Sequence, residues 1–151
     1  MIKIICVGKI KEDFFKEAEK EYLKRLSKYA KIEIIELPDT KDNDVNYCLS
    51  KEKDTILKNI KEKDNIVLLD INGKKYNSTN FSSFIEKELT YNSNITFIIG
   101  SSNGIHDDIR NMIDKKISFS DMTFPHQLFR ILLLEQIYRS FKIINNESYH
   151  K

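Results

Sequence analysis

Residues 118–143 read SFSDMTFPHQLFRILLLEQIYRSFKI, a polar loop with one proline that leads into a segment with few polar positions. Thr123 is a candidate N-cap and Pro125 is tolerated in a first turn, so the pattern predicts that a helix begins here. A helix on the surface of a small domain normally keeps one polar face. This segment has almost none, which predicts a helix buried on two sides. Its second cover is either its own chain or another copy of the same helix, and we favour another copy.

Five apolar runs predict β-strands, and helical periodicity fills the segments between them. The third and fourth runs, IVLLDI and ITFII, are continuous, as in strands covered on both faces. This alternation predicts one three-layer α/β domain, residues 1–151, with a mainly parallel sheet. The predicted strands are Ile2–Val7, Ile32–Leu37, Ile66–Ile71, Ile95–Ile99 and Ile117–Phe119, and the predicted helices are a stripe from Phe15 to Tyr29, Tyr47–Lys63, one from near Ser78, a short one after Gly104 and the helix from His126.

Composition restricts the function only weakly. The chain has 151 residues and a net charge of +2, and a mixed-charge surface of this kind neither requires nor excludes nucleic-acid binding. Cys6 and Cys48 lack disulfide or metal-ligand spacing, and the three histidines are too scattered to form a metal triad. No stretch resembles a signal peptide or a membrane span, so we expect a soluble cytoplasmic protein that needs no metal.

Three loops are candidates for binding a small ligand, because each follows a predicted strand and parallel strands end at one edge of a sheet. They are LLDINGK at 68–74, IIGSSNGI at 98–105 and SFSDMTFP at 118–125. Each alone is a weak signal, since a glycine turn between strand and helix is more often ordinary turn chemistry. The glycines do not form G-x-G-x-x-G, and no P-loop lysine follows them. Together, the loops suit a largely neutral, adenosine-like ligand better than a triphosphate.

The sequence resembles the RlmH family of SPOUT-class methyltransferases in IIGSSNGI at 98–105, MTFPHQLFRILLLEQIYRSFKI at 122–143 and the terminal ESYHK. The resemblance covers the whole chain. It implies a C-terminal trefoil knot, a homodimer, S-adenosylmethionine as cofactor, and methylation of N3 of a pseudouridine in helix 69 of 23S ribosomal RNA on assembled ribosomes. Periodicity does not predict the knot, since chains generally avoid threading.

The same resemblance implies site residues. His150 is the candidate general base, Tyr149 a stacking platform and Arg139 the group that stabilises a developing anion. His126, beside a helix N-terminus, is expected to be a neutral structural residue. The implied cofactor contacts are Leu69, Gly100, Phe119, Ser120, Asp121, Met122, Thr123 and Phe124.

Two departures from the family pattern bear on these expectations. Ser101 stands where a second glycine is usual, and serine would be strained there if the position requires a positive φ. Asn145 and Asn146 replace a common Arg-Gly pair, which keeps a left-handed turn possible and removes a positive charge. Two alternative functions stay open at this point: a SPOUT methyltransferase with another RNA target, and a non-catalytic module that binds nucleotide or RNA.

Overall fold

The alternating apolar and amphipathic segments form five strands and five helices, and the computed structural model describes all 151 residues. The strands make one sheet in the order β2-β1-β4-β3-β5, and every neighbouring pair is parallel. The elements are β1 Ile2–Val7, α1 Asp13–Leu26, β2 Ile32–Leu37, α2 Val45–Asn59, β3 Ile66–Lys75, α3 Ser78–Asn92, β4 Ile95–Ile99, α4 Asp107–Met112, β5 Lys115–Ser118 and α5 His126–Ile144.

Two apolar clusters, one on each face of the sheet, hold the layers together. The larger joins one face of β1 and β4 to Leu26 of α1, Ile85 of α3 and Leu133 of α5. The smaller joins the opposite face to Ile56 of α2 and Ile109 of α4. All five residues of β4 are buried, as the continuous apolar run predicted. The predicted three-layer arrangement with a parallel sheet is confirmed.

Helix α5 is covered on two sides by its own chain, because it packs on the sheet and between α1 and α3. No residue from His126 to Ile144 is fully exposed. The predicted double burial is therefore confirmed, although the neighbouring helices supply much of the second cover. A half-buried strip remains along the helix at Leu128, Leu132, Glu135 and Arg139. Packing against a second copy stays a prediction, and this strip is where it would occur.

A buried arginine fixes the first half of α5 to the sheet. Arg130 is 1% exposed, and its Nη1 lies 3.0 Å from a carboxylate oxygen of Glu19 and 2.9 Å from one of Glu36. Its Nη2 donates to the carbonyl oxygen of Gly8 at 3.0 Å. Burial raises the pKa of the neighbouring Cys6 thiol to about 12, so this cysteine stays protonated. The arginine therefore ties α5 to α1, β1 and β2 at one end of the sheet.

Two local predictions are wrong. Thr123 does not cap α5: the helix begins at His126, and Pro125 precedes it in an extended conformation with no side-chain cap. A proline disfavours helical geometry in the residue before it, which excludes an earlier start. The third strand, which was predicted to end at Ile71, continues through the Asn72-Gly73 pair to Lys75.

β5 pairs with β3 on both sides of this Asn-Gly pair. Ile117 of β5 is the partner of Leu69 and again of Lys74, with a register shift between them. A Cβ on Gly73 would lie 2.6 Å from the backbone nitrogen of Ile117, so only glycine allows this close crossing. None of the helices is both long and apolar enough to cross a membrane.

Candidate functional site

The carboxyl ends of β3, β4 and β5 meet in one pocket of about 640 Å³ beside the start of α5. All three loops predicted from the sequence contribute to its wall. Asp121 is the one predicted cofactor contact outside the wall, since its exposed carboxylate pairs with Lys75 at 2.6 Å between Oδ1 and Nζ. The other predicted contacts line the pocket: Leu69, Gly100, Phe119, Ser120, Met122, Thr123 and Phe124.

The turn after β4 forms the side of the pocket nearest α4. The amide of Gly104 donates to the carbonyl oxygen of Ser101 at 2.9 Å, and Gly104 has φ +88°. A Cβ on Gly100 would lie within 2.9 Å of the carbonyl carbon of Gly104, so the turn is closed too tightly for any other residue. Ser101 is not among the residues with positive φ. Serine at this position is therefore free of the strain that would have followed from a left-handed conformation.

Aromatic rings form the apolar wall beneath the third loop. The Phe119 and Phe129 rings pack edge to face with centroids 5.1 Å apart, and Phe124 stacks on Phe129 at 6.3 Å. Phe81 of α3 supports Phe119 from behind at 5.7 Å. Phe129 was not predicted as a site residue, although its place in the first turn of α5, directly after the loop, is a signal that sequence reasoning could have used. The four rings make a wall that resists deformation.

A pair of opposite charges lies at one end of the pocket. Arg110 Nε donates to Asp70 Oδ2 at 2.7 Å, and the Asp70 side chain is 4% exposed. The hydrogen bond with Asp70 raises the pKa of the Arg110 guanidinium. Because the two charges offset each other, the pocket wall carries little net charge. Arg110 was missed by sequence reasoning, which had no local signal for a partner forty residues away.

His126 also lines the pocket, which adds a role to the structural one predicted for it. Its pKa lies below the ordinary 6.5, chiefly because of burial and then because of the nearby charges of Arg130 and Lys11, while Asp39 opposes the shift. This direction agrees with the predicted preference for the neutral form, and desolvation is its main cause. The imidazole lies so close to Gly8 that a Cβ there would be 2.9 Å from Nε2. This neutral ring closes the β1 side of the pocket.

The three predicted catalytic residues come together around a fourth, Glu135. Arg139 Nη2 and Nε donate to Glu135 Oε1 at 2.6 and 2.9 Å, and the Tyr149 hydroxyl donates to Oε2 at 2.8 Å. The Arg139 guanidinium lies 4.7 Å from the centre of the Tyr149 ring, and its Nη1 lies 3.1 Å from His150 Nδ1. Burial, followed by the bond to Glu135, raises the pKa of Tyr149. Glu135 therefore organises the cluster, a role that the sequence did not indicate.

This cluster does not reach the pocket of its own chain. None of Arg139, Tyr149 and His150 lines the pocket. Phe129, which does, precedes Arg139 by ten residues, and a helix rises about 1.5 Å per residue, so the two ends are roughly 15 Å apart along α5. One chain thus carries the pocket and the cluster of predicted catalytic residues at separate places along one helix.

The tail after α5 is held in place by Glu147. The Tyr29 hydroxyl lies 2.8 and 2.9 Å from the two carboxylate oxygens, and Lys142 Nζ lies 2.8 Å from Oε2. Asn146 has φ 53°, so the predicted left-handed turn is kept by asparagine in place of glycine. These contacts join the tail to the turn after α1 and to α5, and they set where Tyr149 and His150 lie.

Comparison with known proteins now complements this geometry. A family model described as "Predicted SPOUT methyltransferase" matches residues 1–150. The chain belongs to the SPOUT methyltransferase family. Relatives named "Ribosomal RNA large subunit methyltransferase H" include one from Caldicellulosiruptor saccharolyticus, 50% identical over 154 residues with both chains fully covered. Another, from Clostridium botulinum strain 657, is 50% identical over 157 residues with 99% of each chain covered. The resemblance to the RlmH family is confirmed.

Two solved structures share the SPOUT fold at low sequence identity. A probable methylase family protein from Haemophilus influenzae aligns with a TM-score of 0.60 and 13% identity, over 99% of this chain and 70% of that one. The tRNA (m1G37) methyltransferase from Aquifex aeolicus aligns with a TM-score of 0.52 and 17% identity, over 91% of this chain and 69% of that one. With the parallel sheet, these findings confirm the α/β fold with a C-terminal trefoil knot.

Proposed function

We propose that this protein is a ribosomal RNA methyltransferase that transfers a methyl group from S-adenosylmethionine to N3 of a pseudouridine in helix 69 of 23S ribosomal RNA. The observation that carries the proposal is the pocket, which is lined by seven of the predicted cofactor contacts. The chain is also 50% identical, over its full length, to a relative named as a large-subunit ribosomal RNA methyltransferase. We further propose that the whole chain, 1–151, works as a single domain in a cytoplasmic homodimer, with the assembled ribosome as its substrate.

The pocket suits the cofactor in size and chemistry. Its volume of about 640 Å³ lies within the range of small-molecule sites, which are roughly 300–1,000 Å³. Leu69 and the phenylalanine wall offer apolar surface for an adenine ring, and Gly100 together with residues 118–124 offers backbone groups. S-adenosylmethionine, when bound there, supplies an electrophilic methyl group on a sulfonium centre. The protein holds the cofactor and the target base in a reactive orientation and excludes water from them. Such positioning can lower the activation barrier by up to roughly 7–11 kcal/mol in ideal cases.

The C-terminal cluster supplies the groups for the pseudouridine. Tyr149 offers a ring on which a base can stack, and Arg139 offers a permanent positive charge for the anion that forms as the N3 proton leaves. His150 is the base that takes this proton. An arginine only donates hydrogen bonds, so the contact with Arg139 Nη1 makes His150 Nδ1 the acceptor nitrogen. Proton uptake at Nδ1 therefore requires the substrate to displace this contact.

A homodimer would bring the two halves of the site together. A two-fold axis relates identical surfaces, and where that axis runs perpendicular to α5 the two copies of the helix pass each other in opposite directions. If the copies meet along the strip of Leu128, Leu132, Glu135 and Arg139, the Arg139 end of one copy lies beside the Leu128 end of the other. The cluster of each chain then faces the pocket of its partner. Antiparallel pairing of α5 is thus the simplest arrangement that completes the site.

Methyl transfer to ribosomes that lack this modification, followed by mass mapping of the product, tests the proposal. We expect one methyl group at N3 of the helix 69 pseudouridine, and much weaker transfer to free ribosomal RNA because the net charge is only +2. A product at another nucleotide would show a SPOUT enzyme with a different target. Failure to bind S-adenosylmethionine in calorimetry would instead favour a non-catalytic binding module. Equal activity on free RNA would refute the requirement for the assembled ribosome.

A further inference from the structure

The carboxyl group of Glu52, in α2, is buried directly behind the turn formed by residues 100–104. Glu52 is 4% exposed, and its Oε1 accepts a hydrogen bond from Ser101 Oγ at 2.6 Å. Its other oxygen, Oε2, is buried with no hydrogen-bond partner. Glu52 is not itself part of the pocket wall, whereas Ser101 is. The hydrogen bond between these two residues is a direct side-chain link between α2 and this wall.

Ser101 also forms hydrogen bonds with the rest of the turn. Its Oγ also accepts from the amide of Asn103 at 3.2 Å, while its carbonyl oxygen accepts from the amide of Gly104 at 2.9 Å. The backbone of Gly104 lies so close to Gly100 that no side chain fits there, and the turn therefore has little freedom to adopt another conformation. The Ser101 side chain thus holds the turn from inside, and Glu52 fixes the orientation of that side chain.

Stability of the fold does not account for Glu52. Burial raises the pKa of its carboxyl group, and the Ser101 bond opposes this only in part. Removing a carboxylate from water is costly, and an apolar side chain of similar volume often stabilises such a site equally well or better. The carboxyl group of Glu52 is therefore better explained by a role at the pocket wall than by a contribution to the stability of the core.

We propose that Glu52 and Ser101 form a positioning pair that holds the 100–104 turn in the shape that receives S-adenosylmethionine. This inference rests on the proposed function, because it takes that molecule as the ligand of the pocket. Neither residue is assigned contact with the reacting atoms. Loss of the pair should therefore weaken cofactor binding and raise its KM, while kcat at saturating cofactor and the KM for ribosomes stay unchanged. A residue that only stabilises the core would show no such separation.

The experiment measures S-adenosylmethionine affinity by calorimetry and steady-state constants for matched variants of the full chain. Ser101→Ala and Glu52→Leu each remove one side of the bond, and Glu52→Gln keeps an acceptor for the serine. Ser50→Ala is the control, since Ser50 is exposed on α2 and lies outside the pocket wall. We expect Kd to rise about tenfold in the first two variants, equivalent to about 1.4 kcal/mol, and to stay within about threefold of wild type in the last two.

The double variant Ser101→Ala/Glu52→Leu distinguishes a pair from two separate effects. Residues that act through one bond give a combined loss no larger than either single loss. Additive losses would overturn the inference, as would equal affinities for the Ser101→Ala and Ser50→Ala proteins. If Glu52→Leu fails to fold, Ser101→Ala alone decides, because it removes only one hydroxyl group. Wild-type protein that binds no S-adenosylmethionine would overturn the proposed function as well, whereas wild-type binding with unchanged variants would overturn the positioning pair alone.

Discussion

Replacing Gly100 with alanine is the sharpest test of the pocket, because the added methyl group would enter a closed turn. A Cβ at this position would lie 2.9 Å from the carbonyl carbon of Gly104 and nearer still to its oxygen, and both atoms belong to the backbone. Real Cβ atoms essentially never come within 3.0 Å of such neighbours. The turn must therefore open, which breaks its fit to the ligand. Overpacking of this kind costs about 1–3 kcal/mol.

If this cost falls on the bound state, the Kd for S-adenosylmethionine should rise about 5- to 150-fold, since each 1.4 kcal/mol is about a factor of ten. Calorimetry measures the Kd, and urea denaturation measures the free energy of unfolding of the same protein. The control is Ile56→Val, a buried change in α2 outside the pocket wall that should cost about 0.5–1.5 kcal/mol of stability and leave the affinity unchanged. Wild-type affinity in the Gly100→Ala protein would refute the assignment of this turn to the cofactor.

Three further predictions concern the helix and its two ends. His150→Ala should abolish most methyl transfer, measured at several pH values, without changing cofactor affinity, since His150 lies outside the pocket; an unchanged rate would remove it from the chemistry. Leu132→Glu should dissociate the dimer in sedimentation experiments and lower methyl transfer, whereas Leu57→Glu on the exposed side of α2 should do neither; a dimer that survives would refute pairing along α5. The lowered pKa of His126 means that the unfolded chain takes up this proton first as pH falls below 6.5, so unfolding free energy should decline from there until the lower folded pKa is reached; in His126→Gln this component should vanish, and an unchanged pH profile would contradict it.

Sequence periodicity predicted the parts of this fold that depend on neighbouring residues. The strand and helix order followed from apolar spacing, and the double burial of α5 followed from its lack of a polar face. The three binding loops were found because parallel strands end at one edge. The spacing of apolar residues did not predict features that depend on contacts with segments distant in the sequence. Asn72-Gly73 looks like the end of a strand, and only pairing with β5 more than forty residues later carries β3 through it.

The same limit applies to the site. The partners of Asp70 and Ser101 lie 40 and 49 residues away in sequence, so neither contact has a local signature. The sequence around Glu135 gives no sign of its role, because its partner Tyr149 reaches it only when the tail folds back onto α5. The predicted catalytic residues and the knot came from the resemblance to a family, and no pattern within this chain predicts either. The positions of single loops were therefore predictable, and the contacts between them were not.

The separation of pocket and cluster along α5 has a genetic consequence if the dimer forms as proposed. Each complete site would take its pocket from one chain and its tail from the other. A chain with a defective pocket, such as Gly100→Ala, and a chain with a defective tail, such as His150→Ala, would then complement each other. Random mixing makes half of the dimers mixed, and each mixed dimer keeps one intact site of two. At a cofactor concentration too low to fill the Gly100→Ala pocket, the mixture should therefore recover roughly one quarter of the wild-type activity.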